Sequence, residues 1–181
     1  MKTDMCQLGL DQRKVNVLAK EYCDKIGKVD KPVVVSHHML SGLKKGQTKM
    51  SKSDPDSAIF MEDSRKDVIR KIKSAYCEEG ISLDNPILDY CKSIILPAHD
   101  QITIEKHGGE ARIYRDYEEL RIDYENKDVH PGDLKRAVSG AINDLLQPVR
   151  DHFENDPYAR KLLAQIKKWQ AEMAAAAAGK K

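Results

Sequence analysis

The sequence predicts an α/β beginning that gives way to a mainly α-helical unit carrying one small β-hairpin. Three observations lead there. Pro32-Val33-Val34-Val35-Ser36-His37 is a short β-branched apolar run directly after an amphipathic stretch, as in a helix feeding a parallel sheet. Residues 101–115 alternate around His107-Gly108-Gly109, as a hairpin does. From residue 116 onward the spacing of apolar residues is helical.

Composition bounds the function classes. The 181 residues include 31 basic and 29 acidic side chains, for a formal net charge of +2, and 40% are hydrophobic. At about 100–200 residues per domain this allows one or two units, and so small a net charge argues against wholesale disorder. A general polycation is excluded, so any nucleic-acid contact must come from local patches. No run of about 18 apolar residues exists to span a membrane. The start, MKTDMCQLGLDQRK, lacks the apolar core and cleavage site of a secretory signal. Cys6, Cys23, Cys77 and Cys91 are scattered without a C-x-x-C, which disfavours zinc and suits free thiols in a reducing compartment. A soluble, cytoplasmic protein is expected.

Taken in order, Val15, Leu18, Ala19, Tyr22, Cys23 and Ile26 give a helix with one buried stripe, stopped near Gly27. The run 32–37 is expected as a buried strand, with no partner strand evident nearby. Residues 39–57 hold two glycines and four lysines but no acid before Asp54, and are expected to form a mobile surface loop. Asp63 or Ser64 can cap a helix through about Tyr76, with Val68 and Ile72 on its inner face. Asn85-Pro86 opens another, carrying Leu88, Cys91, Ile94 and Ile95 until Pro97 ends it. In the hairpin, Ile102 and Ile104 alternate on one strand and Ala111 and Ile113 on the other. Helices follow over 116–126, 131–154 and 157–173. Pro131 suits a first helical position and Asp133 a first turn, while Pro148 predicts a kink or break. The alanine run 174–178 extends the last helix or frays.

Two stretches can carry chemistry. Lys49-Met50-Ser51-Lys52-Ser53 sets two lysines three apart among small hydroxyl residues on a glycine-flanked loop. Their ammonium groups can act as point charges on a polyphosphate whose charge grows in a transition state. A solvated lysine loop is the ordinary alternative, and the absence of G-x-x-x-x-G-K-[ST] excludes a P-loop. The second stretch is Gln7-Leu8-Gly9-Leu10-Asp11-Gln12-Arg13-Lys14. Gly9 lets backbone approach a ligand closely. Asp11 can accept from ribose hydroxyls and the Gln12 amide from an ammonium group; a helix start capped by Asp11 is the alternative.

These residues carry a resemblance. The stretch 49–53 matches the KMSKS signature of class I aminoacyl-tRNA synthetases letter for letter. It follows a D-Q-R-K segment, a helix, a strand and His37-His38-Met39-Leu40, in that family's order. Downstream, His130-Pro131-Gly132-Asp133-Leu134-Lys135 resembles the H-P-x-D-L-K segment in the anticodon domain of tyrosyl-tRNA synthetases of the eukaryotic and archaeal type. The tryptophanyl enzymes share the loop signature and stand as the runner-up, with a non-catalytic tRNA-binding module as a further alternative.

The resemblance implies residues 1–62 as the C-terminal part of a Rossmann-type catalytic domain including the KMSKS loop, and 63–181 as a helical anticodon-binding domain. It implies tyrosine activation with ATP to tyrosyl-adenylate, releasing pyrophosphate, then transfer to the 3′ end of tRNA(Tyr). Lys49 and Lys52 would hold pyrophosphate and Ser51 would order the loop. Gln12 and Gln7 would meet tyrosine. Gly9, Asp11, Met39 and Leu40 would meet the nucleotide, with Mg²⁺ arriving on ATP and no dedicated metal ligands. His107, where the family has tryptophan or phenylalanine, would stack on an anticodon base, and Asp133 would read the first anticodon guanine. Lys106, Arg112, Lys135 and Arg136 could meet phosphates, a solvated face being the alternative. No H-x-G-H signature occurs, so the chain is expected to be the carboxy-terminal portion of such an enzyme. The homodimer of the full-length enzyme would then form through the absent half.

Overall fold

The computed structural model describes residues 3–47, 49–51 and 54–178. It opens on β1 (Met5–Gly9), a 3-10 turn (Leu10–Gln12), α1 (Arg13–Lys25) and β2 (Val33–His37). The strands pair in parallel, with Met5 opposite Val33 and Gly9 opposite His37. β1 is a partner strand that sequence pattern does not reveal, because Met-Cys-Gln-Leu-Gly contains no β-branched residue. Gly27 ends the helix segment as expected. It takes φ +67°, and the Lys28 amide reaches back to the Cys23 carbonyl at 2.9 Å, a Schellman closure.

The burial expected here is not found. Val33 is 59% exposed and Leu18 64%, while Asn16 is the buried residue of α1. A buried parallel strand needs cover on both faces. Among the described residues these two strands pair only with each other, with one helix between them.

Residues 39–57 also depart from expectation, since they are not simply a surface loop. Leu43 is buried in the helical core beside Val68 and Ile72. Its amide donates to the Ser57 carbonyl at 2.9 Å, and its carbonyl accepts from the Tyr76 amide at 2.7 Å. A second 3-10 turn, Pro55–Ser57, closes this segment.

Ser64 caps α2 (Arg65–Ser74) through a full capping box with Asp67, and Val68 and Ile72 are buried as expected. Asn85 caps α3 (Pro86–Tyr90), its Oδ1 accepting the Ile87 and Leu88 amides. Pro97 does not end this helix. The chain passes through a π-turn, Cys91–Ile95, into α4 (Leu96–His99), where the Leu96 amide bonds the Cys91 carbonyl. The wider turn relieves the clash a proline makes with the carbonyl four residues back. Asp100, in the left-handed region at φ 59°, closes the helix.

β3 (Ile102–Glu105) and β4 (Ala111–Tyr114) form the expected antiparallel hairpin. On β4 the inward face is the opposite of the one expected. Tyr114 is buried and Ile113 is 49% exposed, because Tyr114 pairs with Ile102 and Arg112 with Ile104. The Tyr114 hydroxyl donates to Asp123 Oδ2 at 2.8 Å, so the larger aromatic fills the core with its polar end satisfied.

Asp116 caps α5 (Tyr117–Glu125). α6 (Pro131–Asn155) packs against α2, β3 and α7 (Pro157–Ala178). It runs unbroken through Pro148, where a kink or break is expected from sequence. The Arg150 guanidinium braces this stretch, donating to the Asn143 carbonyl at 3.2 Å and to its Oδ1 at 2.8 Å. No helix among the described residues is long and apolar enough to cross a membrane.

Candidate functional site

In a parallel sheet, ligands bind beyond the carboxyl ends of the strands. The register sets those ends side by side at Gly9 and His37. Around them lie most of the residues singled out for nucleotide and amino-acid binding. A Cβ on Gly9 would run into the Met39 sulfur and would sit 2.8 Å from Asp11 Oδ1. Glycine therefore lets the Met39 and Asp11 side chains close on the strand end, and any larger residue would push them outward. Asp11 and Gln12 are exposed in the 3-10 turn, and the Gln12 amide donates to Asp11 Oδ2 at 3.4 Å. Asp11 does not cap α1; Gln12 holds the cap position, with no side-chain bond. Gln7 is exposed two residues back along β1, opposite Val35. Leu40 leans the other way and packs against the helical core.

The loop at 49–53 is partly described. Lys49 is exposed, Met50 packs against the helical core, and Lys52 and Ser53 lie outside the described residues. Ser51 is held from below. Its amide donates to the fully buried Ser57 Oγ at 3.0 Å. The Ser57 hydroxyl lies 2.7 Å from the Asp54 carbonyl and 3.2 Å from the Ser51 carbonyl, either of which can take its proton. Lys44 pairs with Asp54 at 2.5 Å, and its ammonium donation holds the Asp54 carboxyl below the usual carboxylate range. The described end of this stretch, at Ser51, is thus anchored on a buried serine, a residue sequence reasoning missed. One polar residue in a run of polar residues carries no signal until burial is known.

A third cluster joins the hairpin to α6. Asp133 is buried, its Oδ2 accepts the His107 amide at 3.1 Å, and Oδ1 pairs with Arg136. His107 itself is exposed on the turn. The structure therefore brings the two expected anticodon residues together. His130 caps α6, its Nδ1 accepting the Gly132 amide at 3.0 Å. The neighbouring cations are largely engaged within the chain. Lys135 donates to the Ala75 carbonyl at 2.6 Å and the Lys73 carbonyl at 3.0 Å, closing the end of α2. Arg112 pairs with Glu119 at 2.9 Å and also with Asp123.

A profile of the tRNA synthetases class I (W and Y) matches residues 1–147. The chain belongs to that family. Among class I tRNA synthetases it is similar to tyrosine–tRNA ligase 1, cytoplasmic, of Arabidopsis thaliana, at 54% identity over 173 residues, covering 94% of this chain and 45% of that one. The crystal structure of Leishmania major tyrosyl-tRNA synthetase in complex with tyrosinol superposes with a TM-score of 0.83 at 45% identity, covering 93% of this chain and 33% of that one. Tyrosyl-tRNA synthetase from Aeropyrum pernix gives a TM-score of 0.80 at 34% identity, covering 91% and 48%. The chain spans about half the length, or less, of the relatives it matches. Over the matched residues the chain shares the fold of these class I synthetases, and among the described residues it is mostly helical with two two-stranded sheets.

Proposed function

We propose that the protein is a tyrosine–tRNA ligase: it condenses tyrosine with ATP to tyrosyl-adenylate and pyrophosphate, then transfers tyrosine to the 3′ end of tRNA(Tyr). The observation that carries this reading is the meeting of Gly9, Asp11 and Met39, with Gln12 beside Asp11, at the carboxyl edge of the parallel pair. It is weighed with relatives that are themselves named tyrosine–tRNA ligases.

In this proposal Asp11 receives the ribose hydroxyls, Gln12 and Gln7 face the amino acid, and Met39 and Leu40 flank adenine over the Gly9 floor. Lys49 and Lys52 stabilise the departing pyrophosphate, whose charge rises as the bond to the α-phosphate breaks. Ser51, tied to Ser57, sets the height of that loop. Mg²⁺ would come with ATP and neutralise phosphate charge, its ligands in this proposal being phosphate oxygens and water. Residues 1–62 form the C-terminal part of a Rossmann-type catalytic domain with the KMSKS loop, and 63–181 the helical anticodon-binding domain. There His107 stacks on a base, and the two remaining acceptor positions of Asp133 receive a guanine edge. The homodimer expected of the full-length enzyme would form outside the described residues, and a cytoplasmic location is proposed on the named plant relative.

The test is Lys52→Ala in the full-length protein. Adenylate formation should fall about 100-fold, as for loss of one charge-stabilising donor, while tyrosine affinity holds. Equal loss of both would remove the pyrophosphate role.

A further inference from the structure

The segment joining β2 to the helical core is held by a carboxylate that belongs to neither strand nor loop. Asp89 lies on α3, whose neighbouring residues Ile87, Leu88 and Tyr90 are buried, so its backbone is fixed by the core. Its oxygens accept from His38 Nε2 at 2.9 and 3.0 Å and from the Ser41 amide at 3.4 Å. Ser93, one turn on, donates to Oδ1 at 2.9 Å and sets the carboxylate's orientation. The bonds to His38 and Ser41 bracket Met39 and Leu40. Beyond them Leu43 is anchored in the core, and before them His37 ends β2.

We infer that Asp89 is a positioning residue for the nucleotide, fixing Met39 against Gly9 by tying the His38 imidazole before it and the Ser41 backbone amide after it. This rests on the proposed ligase reading, in which Met39 and Leu40 flank adenine. The clamp transmits the rigid placement of α3 to the wall of the ATP site. Without it, the stretch 38–42 keeps the His37 Nδ1 contact to the His38 carbonyl at 2.9 Å, the Gly42 amide bond to the Gln47 carbonyl at 3.0 Å and the packing of Leu40 on the core, but loses its tie to α3. A carboxylate with three donors is strongly favoured over a neutral side chain at that place. Asn85 caps α3 and the buried face fixes the helix in the core; as the acid of the first turn, Asp89 also complements the helix dipole.

The experiment is ATP–pyrophosphate exchange by the full-length protein carrying Asp89→Ala or Asp89→Asn, with KM read separately for ATP and for tyrosine. Asp89→Ala should raise the ATP KM about tenfold, the scale of a lost charge-assisted hydrogen bond, with the tyrosine KM unmoved. Asp89→Asn, which keeps one acceptor, should fall between. An unchanged ATP KM, or equal changes in both KM values, would overturn the positioning role. Amide hydrogen exchange reads the clamp independently of activity. In Asp89→Ala, exchange at residues 39–42 should accelerate while α2 and α6 keep their protection, and an unaltered pattern would overturn the inference. If the unsubstituted protein shows no tyrosine-dependent exchange, the ligase reading fails while the hydrogen-exchange result still decides the clamp.

Discussion

The Ser57 hydroxyl, fully buried, accepts the backbone amide of Ser51 at 3.0 Å. Ser57 thereby ties Ser51 to the 3-10 turn Pro55–Ser57. Removing the hydroxyl takes one hydrogen bond from a half-buried amide, which costs about 1 kcal/mol. Ser57→Ala should lower the urea midpoint accordingly. In the full-length protein it should reduce the kcat of pyrophosphate exchange more than the KM for tyrosine. An unchanged kcat would separate the loop's height from catalysis.

Asp133 has two tasks in this account, and they can be told apart. Its bond to the His107 amide holds the hairpin turn on α6, while Arg136, one turn on in the same helix, pairs with the carboxylate. Asp133→Asn retains an acceptor for the turn but places an amide where the proposed guanine edge needs two acceptors. It should weaken tRNA charging about tenfold or more, the range of one bidentate base contact, and leave adenylate formation intact. Unchanged tRNA kinetics would remove Asp133 from base reading.

The start of α2 should show a pH-dependent contribution. The Ser64 hydroxyl donates to Asp67 and holds its carboxyl below the ordinary value of 3.8. A depressed carboxyl contributes stability above its unfolded value and loses it as the pH falls through the folded one. Ser64→Ala should therefore lower stability near neutral pH, and thermal melts should show this difference shrinking below pH 3.8. A difference constant with pH would place the cap's contribution elsewhere.

Burial pushes the Cys77 and Cys91 thiols up from their ordinary value. Thiolate, the reactive form, is correspondingly scarce. Cys77, half-buried, packs against the core 3.2 Å from the Tyr124 hydroxyl. Alkylation at mildly alkaline pH, followed by mass spectrometry, should leave both unlabelled until denaturant is added. Rapid labelling of either in the folded protein would contradict this packing.

Local signals read correctly from sequence are those with a local cause. Ser64 and Asn85 cap helices because their side chains reach amides two or three residues on, and Gly27 and Pro131 act through their own backbone. The edges of the hairpin and the long helices follow in the same way. What sequence did not reveal depends on distant partners. β1 lacks β-branched residues and exists through its pairing with β2. Tyr114 faces inward because its hydroxyl finds Asp123. Pro97 is tolerated because the π-turn before it changes which carbonyl is met. At the site, Gly9, Asp11, Gln12 and the two lysines stood out by residue type and order. Ser57 and Asp89 did not, since their roles come from burial and from bonds across many residues of chain.

The central claim is a tyrosine-activating site whose lysine loop handles pyrophosphate. The most direct measurement is amino-acid-dependent ATP–pyrophosphate exchange by the full-length protein, with tyrosine and tryptophan run side by side and repeated on Lys49→Ala. Exchange is expected with tyrosine alone, strongly depressed by the substitution. Exchange driven by tryptophan, or tyrosine exchange indifferent to Lys49→Ala, would contradict it.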